Sequence, residues 1–138
     1  MNENKTEKLL KIISKLRDPS SGCEWTKSQT SKSLLPFILE ETKEIQEAFE
    51  NNDYENFKEE LGDLLLQIVL QSEIAEENNL FSFDEVIDTL CEKLIRRHPY
   101  VFKEKRPHTL EEQREAYFRI KDLELSLIHI SEPTRLLR

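Results

Sequence analysis

Four acidic residues have the spacing of a metal-binding site. Glu41 and Glu44 lie three residues apart, and so do Glu60 and Asp63. Residues at i and i+3 share one face of a helix, so each pair can present two carboxylates together. A turn at residues 51–52 makes the two helices antiparallel, and at about 1.5 Å of rise per residue the pairs then lie at similar height. The spacing therefore predicts four carboxylates converging in one groove between two helices.

The position of Glu41 on its helix favours a bound cation over a solvated acidic surface, which is the alternative interpretation. At about 100° per residue, Glu41 falls between Ile38 and Ile45 inside the apolar stripe. A buried carboxylate is costly unless it is paired or ligates a metal, and clustered carboxylates repel one another. A divalent cation relieves both costs, and all-oxygen ligands select Mg²⁺ or Mn²⁺ over zinc. The four acids are therefore predicted to bind Mg²⁺, with Mn²⁺ as the alternative metal.

Two further pairs of residues suit phosphate chemistry, which needs positive side chains near the metal. Lys93 and Arg97 are four residues apart, a spacing that lets both side chains hold one phosphate chain. Tyr117 and Lys121 repeat that spacing further along the chain. The alternatives are a favourable interaction of the basic pair with a helix C-terminus and burial of Tyr117 in the core.

The acidic excess of the chain is confined to one segment. Residues 40–63 contain ten acids and two bases, which matches the formal charge of −8 of the whole chain. Acids and bases balance elsewhere, so this segment either repels itself or is neutralised by cations. An acidic chain of this kind is not expected to bind nucleic acid directly through the phosphate backbone.

Five predicted helices position these side chains. Apolar periodicity and capping patterns place four of them at about residues 4–17, 33–50, 54–78 and 82–98, and a fifth from Thr109 onward. Residues 23–31, which include Trp25, are predicted to be irregular. Short connections favour antiparallel neighbours. We therefore predict an all-α fold, an antiparallel helical bundle of about five helices that is completed by dimerisation.

Composition excludes several classes of protein. Two glycines among 138 residues argue against Gly-rich phosphate loops and against folds with many β-hairpins. Two cysteines cannot supply a disulfide framework, which favours a reducing compartment. The sequence has no apolar run of about 20 residues and no signal-peptide pattern at its start. These features predict a cytoplasmic protein that does not bind a membrane.

The end of the chain differs from the rest. Helical periodicity is lost from residue 126, where the sequence reads SLIHISEPTRLLR. We therefore assign residues 1–125 to one helical domain. Residues 126–138 are interpreted as a tail that is non-native or the stub of a longer chain.

Three separated blocks of the sequence resemble the MazG nucleoside triphosphate pyrophosphohydrolases. In chain order they read LRDPSSGCEWTKSQTSKSLLPFILEETKEI, EELGDLLLQIVLQSEIAEE and FSFDEVIDTLCEKLIRRHPYVF. The resemblance covers about residues 8–103 and continues weakly to residue 121. It implies an all-α nucleotide pyrophosphatase fold that works as a homodimer or homotetramer with Mg²⁺ and cleaves a nucleoside triphosphate to the monophosphate and pyrophosphate.

The resemblance also assigns roles to individual residues. The family's metal motif, ExxE followed by ExxD, falls on the catalytic and metal-binding residues Glu41, Glu44, Glu60 and Asp63. The substrate-binding residues that it implies are Lys93, Arg97, Tyr117, Lys121 and Trp25.

This chain departs from the family pattern near two of those residues. A tyrosine at position 117 replaces the more usual tryptophan. The family's CPWDxxQTH block reads CEWTKSQTS here, with Glu24, Thr26 and Ser31 in place of its proline, aspartate and histidine. Trp25 itself is kept, and the changes around it leave the preferred nucleotide open.

The predicted function is Mg²⁺-dependent hydrolysis of nucleoside triphosphates to nucleoside monophosphate and pyrophosphate, which makes the chain a hydrolase acting on acid anhydrides. The alternative is a catalytically silent helical dimerisation or regulatory domain of a longer two-domain MazG-like protein. In that case the acidic segment is solvated surface. Release of pyrophosphate from a panel of nucleotides distinguishes the two.

Overall fold

The structure is a computed structural model that describes residues 4–103 and 107–131. Across these two ranges the chain forms seven helices and no strand, which confirms the all-α prediction. The chain divides into two compact units, Met1–Val86 and Ile87–Arg138. The assignment of residues 1–125 to one domain stays a prediction.

The first unit is built around a helical hairpin. Its helices are α1 (Lys5–Leu16), α2 (Glu24–Ser28), α3 (Ser31–Glu50), α4 (Tyr54–Glu77) and the start of α5 (Phe83–Arg97). The long helices α3 and α4 pack against each other, and α1 packs on α4. At the open end of the hairpin, Gln71 Nε2 donates to the Ser31 carbonyl oxygen at 2.9 Å. The predicted antiparallel pair is therefore present.

A short connection holds the two hairpin helices in register. Asn52 adopts a left-handed conformation with φ of 56°, which asparagine tolerates better than most residues. Asp53 then caps α4, because its side chain accepts a hydrogen bond from the Asn56 amide at 3.2 Å. Three residues thus reverse the chain and fix the acid pair of α3 relative to that of α4.

The segment predicted to be irregular contains the helix α2. The prediction for residues 23–31 was wrong because α2 has five residues, too few to show apolar periodicity. Its end leads directly into the start of α3, where Thr30 and Ser33 form a capping box. Thr30 Oγ1 accepts from the Ser33 amide at 3.0 Å, and Ser33 Oγ accepts from the Thr30 amide at 2.8 Å.

The core of the first unit lies between α1, α3 and the second half of α4. It consists of Ile13, Leu34, Val69, Leu70 and Ile74. The apolar periodicity of α3 and α4 predicts that Phe49, Leu61, Leu65 and Ile68 face inward, but these four residues are exposed. The packing of α1, α3 and α4 leaves their side chains open to solvent in the single chain. The periodicity was therefore a correct signal for helices and an incorrect one for burial at these positions.

The second unit contains the remainder of α5, the short helix α6 (Pro99–Phe102) and α7 (Leu110–Ser131). The predicted capping box at Thr109 is present: Thr109 Oγ1 accepts from the Glu112 amide at 3.1 Å, and Glu112 Oε1 accepts from the Thr109 amide at 3.2 Å. Helix α7 continues six residues into the segment that was interpreted as a tail. Residues 132–138 of that segment lie outside the described residues.

None of the helices within the described ranges is long and apolar enough to cross a membrane. Cys23 and Cys91 are both free thiols at exposed positions. The prediction of a cytoplasmic protein is not tested by either finding.

Candidate functional site

The hairpin brings three of the four predicted acids into one cluster. Carboxylate oxygens of Glu41, Glu60 and Asp63 all lie within 4.8 Å of one another. Glu41 comes from α3, whereas Glu60 and Asp63 come from α4, so the cluster spans the groove between the two helices. Glu41 and Glu60 are half-buried and Asp63 is exposed, so the cluster opens toward solvent on one side.

Two oxygens of this cluster are buried without a donor. Glu41 Oε2 and Glu60 Oε2 are shielded from solvent, and neither has a hydrogen-bond partner in the part of the chain that the structure describes. Buried polar atoms in proteins are almost always paired, because an unpaired one loses its hydration without compensation. Protonation or a bound cation would supply the partner that these two oxygens lack.

The cluster carboxyls also favour one another's protonated forms. Desolvation by burial raises the pKa of Glu41, and the nearby charges of Glu44 and Asp63 raise it further. Hydrogen bonding with Glu41 raises the pKa of Glu60. Like charges at close range resist joint ionisation, so the group takes up protons or binds a cation.

Glu44 lies beside the cluster but outside its group of three oxygens. Hydrogen bonding with the Glu60 carboxyl raises the pKa of Glu44. Its side chain is half-buried, one helical turn after Glu41 on α3. Glu44 is therefore close enough to Glu60 to affect its protonation, and all four predicted acids are brought together.

The donor set fits a hard divalent cation. All four side chains offer carboxylate oxygens, which Mg²⁺ and Mn²⁺ prefer and which do not select zinc. The two shielded oxygens point to a bound positive charge, and the exposed side at Asp63 leaves room for water or substrate oxygens. Glu41, Glu44, Glu60 and Asp63 are therefore able to hold such an ion.

One polar residue of this helix face was missed at the sequence level. Gln67 lies one turn after Asp63 on α4, is 5% exposed, and has a buried Oε1 without a hydrogen-bond partner. A glutamine at i+4 from a predicted metal ligand and within an apolar stretch was the available signal. Its amide oxygen is the third orphaned acceptor on the α3–α4 hairpin.

Trp25 lies close to the same face of α3. Its ring packs edge-to-face against Phe37, with centroids 5.4 Å apart and planes at 82°, and 47% of the residue is exposed. Phe37 and Glu41 are four residues apart on α3, so they share a face and differ by about 6 Å along the helix axis. The indole therefore contacts a residue that lies one helical turn before Glu41 on α3.

In the second unit, two of the other predicted residues contact each other. Arg97 Nη1 donates to Tyr117 Oη at 3.2 Å, and the Arg97 guanidinium carbon lies 5.5 Å from the Tyr117 ring centre. Lys93 is half-buried on α5, whereas Lys121 is exposed on α7. Within the described residues, no hydrogen bond or ion pair joins either lysine to this pair.

Glu124 is a second residue that sequence reasoning missed. It accepts from Arg97 Nε at 3.0 Å and Nη2 at 2.8 Å, and it also binds Arg96. This pairing raises the pKa of Arg97 and lowers that of Glu124. The charge of Arg97 is thus already compensated by a carboxylate, which fixes the guanidinium against the Tyr117 ring.

Comparison with known proteins gives one consistent family. A family model described as the MazG nucleotide pyrophosphohydrolase domain matches residues 29–102. That range includes both acid pairs and the pair Lys93 and Arg97, while Trp25, Tyr117 and Lys121 lie outside it.

Two curated relatives agree with that match. Over 96 residues the chain is 51% identical to a protein of Thermotoga maritima named nucleoside triphosphate pyrophosphohydrolase/pyrophosphatase MazG. Over 99 residues it is 42% identical to a nucleoside triphosphate pyrophosphohydrolase of Escherichia coli K12. The matches cover 70% and 72% of this chain but only 37% and 38% of those proteins. The chain thus spans less than two fifths of the length of these relatives.

A solved structure shows the same arrangement of helices. The crystal structure of a mazG-related protein from Thermotoga maritima matches with a TM-score of 0.71 and 31% sequence identity. The match covers 84% of this chain and 98% of that one. Unlike the curated relatives, this protein is similar over nearly its whole length.

Proposed function

The chain belongs to the MazG nucleotide pyrophosphohydrolase family, and on this premise we propose that it hydrolyses nucleoside triphosphates to nucleoside monophosphate and pyrophosphate. The observation that supports the proposal most directly is the cluster of Glu41, Glu60 and Asp63 with two shielded, unpartnered oxygens. Breaking the anhydride linkage between the α and β phosphates requires an activated water and neutralisation of the leaving pyrophosphate. An oxygen-only cation site in an open groove suits both tasks.

The proposed cofactor is Mg²⁺, with Mn²⁺ as a substitute. It would be held by Glu41, Glu44, Glu60 and Asp63. When bound, it would lower the pKa of the attacking water and offset the negative charge of the phosphates. Glu44 is the residue we assign to orient the attacking water and accept its proton. It lies beside the trio of oxygens rather than among them, which suits a carboxylate that contacts a water held by the metal.

The substrate-binding roles are proposed from the chemistry of the individual side chains. Lys93, Arg97 and Lys121 are proposed to contact the phosphates, where positive charge stabilises the developing negative charge. Trp25 or Tyr117 is proposed to pack on the nucleobase, since aromatic faces stack on any base. Glu124 holds the Arg97 guanidinium in place beside Tyr117.

The test is a panel of ribonucleoside and deoxyribonucleoside triphosphates with Mg²⁺, scored for released pyrophosphate. Glu41→Gln keeps the shape of the side chain and removes one charged ligand, so we expect a loss of at least about 100-fold in kcat/KM. Glu47→Gln makes the same charge change at an exposed position of α3 and serves as the matched control. Unchanged pyrophosphate release by Glu41→Gln contradicts the metal assignment.

The second candidate function is a silent dimerisation module. The observation that favours it is the exposed apolar stripe Leu61, Leu65 and Ile68 on α4, which suits packing against another protein surface. We propose that this stripe joins two copies of the chain into a homodimer, or into part of a homotetramer. An oligomer that releases no pyrophosphate from any nucleotide of the panel supports the silent module, whereas release supports the enzyme.

The cytoplasm is the proposed location. Both cysteines are free and exposed, which agrees with a reducing compartment. The proposed partners are the nucleotide substrate and a second copy of the chain, with neither a membrane nor nucleic acid among them.

A further inference from the structure

The side chain of Arg17 joins three segments of the first unit. Its Nε and Nη2 atoms donate to the two carboxylate oxygens of Glu77 at 2.8 and 2.7 Å. Its Nη1 donates to the carbonyl oxygens of Thr26 at 2.8 Å and Gln29 at 3.0 Å. Only 10% of the Arg17 side chain is exposed. One guanidinium therefore connects the end of α1, the end of α2 and the end of α4.

Helix α2 depends on such an external contact. A helix of five residues is too short to be stable by itself, because few hydrogen bonds offset the cost of fixing its backbone. Arg17 binds carbonyls at its C-terminal end, where positive charge is favourable. Thr26 is also 5% exposed, so this end of α2 is packed inward rather than free in solvent.

Trp25 lies on this short helix and is fixed through it. Ser28 Oγ and Gln29 Nε2 donate to the Trp25 carbonyl oxygen at 2.8 and 3.1 Å. Gln29 Oε1 in turn accepts from Ser33 Oγ at 2.7 Å at the start of α3. The backbone of Trp25 is thus tied to α3, while its ring contacts Phe37 and keeps about half of its surface open to solvent.

We infer that Arg17 is a positioning residue of the nucleotide site, which holds α2 so that Trp25 presents its indole to the nucleobase. The inference rests on the proposed function. Phe37, which the Trp25 ring contacts, lies one helical turn before Glu41 on α3, and we therefore place the phosphates of a nucleotide at the carboxylates and its base toward Trp25. Glu77 has the matching role of holding the Arg17 guanidinium.

Trp25 is the only tryptophan of the chain, so its fluorescence reports the position of α2 directly. The test variant is Arg17→Lys, which keeps the charge but loses the planar fork that binds four acceptors together. We expect a red-shifted Trp25 emission without nucleotide and an increase in KM for the nucleoside triphosphate of about tenfold. We expect kcat to change less than twofold, because the carboxylates are untouched.

Inorganic triphosphate provides the control that separates base binding from phosphate binding. It offers phosphates without a base, so its inhibition constant with Mg²⁺ should be the same for wild type and Arg17→Lys. Glu24→Gln is the matched variant, because it removes an exposed ion pair with Lys27 on the same short helix and leaves Arg17 intact. Its emission and KM should equal those of the wild type.

Glu77→Gln is the second test variant, and it keeps the inference testable when Arg17→Lys does not fold. It removes the charge of the carboxylate but leaves the Arg17 bonds to Thr26 and Gln29, so we expect a smaller increase in KM in the same direction. Circular dichroism establishes that each variant is helical before kinetics are compared.

Three results would overturn the inference. Unchanged emission in Arg17→Lys means that Arg17 does not position α2. A shifted emission with an unchanged KM means that α2 is not part of the nucleotide site, although the enzyme works. Equal weakening of nucleotide and inorganic triphosphate means that Arg17 acts on the phosphates or on the fold. A wild type that releases no pyrophosphate and shows no nucleotide-dependent change in emission removes the proposed function instead, and the inference with it.

Discussion

At the scale of single residues, the molecule combines paired carboxylates with a few buried polar atoms that lack partners. The i, i+3 spacing predicted that Glu41, Glu60 and Asp63 would meet, because helix geometry alone fixes which side chains share a face. Spacing placed Gln67 on the same helix face but gave no information about its unpartnered amide oxygen or about Glu124, because both environments depend on packing between helices. At this scale we therefore predict the titration of the Asp18 carboxyl and the contribution of Gln67 to stability.

The first prediction concerns Asp18 in the loop after α1. Its Oδ1 accepts from the amides of Ser20 at 2.9 Å and Ser21 at 3.0 Å and from Ser20 Oγ at 2.8 Å. These hydrogen bonds lower the pKa of Asp18 from 3.8 to about 2. A depressed carboxyl pKa adds stability above 3.8, and this is lost as the pH falls toward 2. NMR titration of the Asp18 carboxyl should therefore show a midpoint near 2.

Asp18→Asn is the companion variant for that titration. It cannot gain or lose the proton, so the variant should lose less stability than the wild type between pH 4 and pH 2. A measured pKa near 3.8 for Asp18 in the folded protein contradicts the loop geometry.

The second prediction concerns the buried amide of Gln67. Its Oε1 has no partner, so replacement by an apolar side chain of similar shape removes an uncompensated cost. Gln67→Met should raise the free energy of unfolding in urea by about 1 kcal/mol. Gln71→Met is the matched variant, and it should lower stability by about 1 kcal/mol, since Gln71 donates to the Ser31 carbonyl. A loss of stability in Gln67→Met would show that its amide is satisfied in solution.

At the scale of helices, the fold is governed by the α3–α4 hairpin and its caps. The hairpin and the capping boxes at Ser82 and Thr109 were predictable, because asparagine turns and Ser/Thr with Glu three residues later are local signals. Helices α2 and α6 were not, because five and four residues show no periodicity. The backbone of α2 is held by the guanidinium of Arg17, which binds carbonyl oxygens nine and twelve residues further along the chain. Local sequence patterns do not reveal a contact between residues so far apart.

The third prediction concerns Gly62 in the middle of α4, between two of the acids. A Cβ atom built there meets nothing within 4 Å, and the residue is exposed in the monomer. Gly62→Ala should therefore stabilise the chain by about 0.5–1 kcal/mol, because alanine loses less backbone entropy on forming a helix. Thermal or urea unfolding measures the change.

Gly22 supplies the contrast for this measurement. A Cβ atom there would lie 2.3 Å from the Leu16 carbonyl oxygen and 2.6 Å from that of Asp18. These are backbone atoms that cannot turn aside, so Gly22→Ala should destabilise by about 1–3 kcal/mol. If Gly62→Ala also destabilises the protein, then another surface packs on α4 at that position.

At the scale of the whole molecule, apolar and charged surfaces are distributed unevenly. The acidic residues of the hairpin belong to the first unit, and the contact of Arg97, Tyr117 and Glu124 belongs to the second. The first unit also exposes Leu61, Leu65 and Ile68 on one face of α4. Sequence periodicity could not distinguish burial inside one chain from burial between two chains, because both produce the same apolar stripe.

The fourth prediction tests the proposed self-association through that stripe. Leu65→Glu places a charge at its centre, so light scattering should show a shift from an oligomer toward a monomer. Leu80→Glu makes the same change at a residue that is 70% exposed beyond the end of α4, and it should leave the assembly unchanged. A wild type that is monomeric at high concentration contradicts the proposed homodimer.

The tight turn at Asn52 has a consequence for which changes in chain length the protein can tolerate. One residue inserted between Asp53 and Glu60 would rotate Glu60 and Asp63 by about 100° around α4 and move them away from Glu41. A substitution in this stretch alters one side chain, whereas an insertion or deletion separates both acids of α4 from α3. Insertions and deletions compatible with a working cluster are therefore expected before residue 41 or after residue 63, as in the loop of residues 18–22, and not between the two acid pairs.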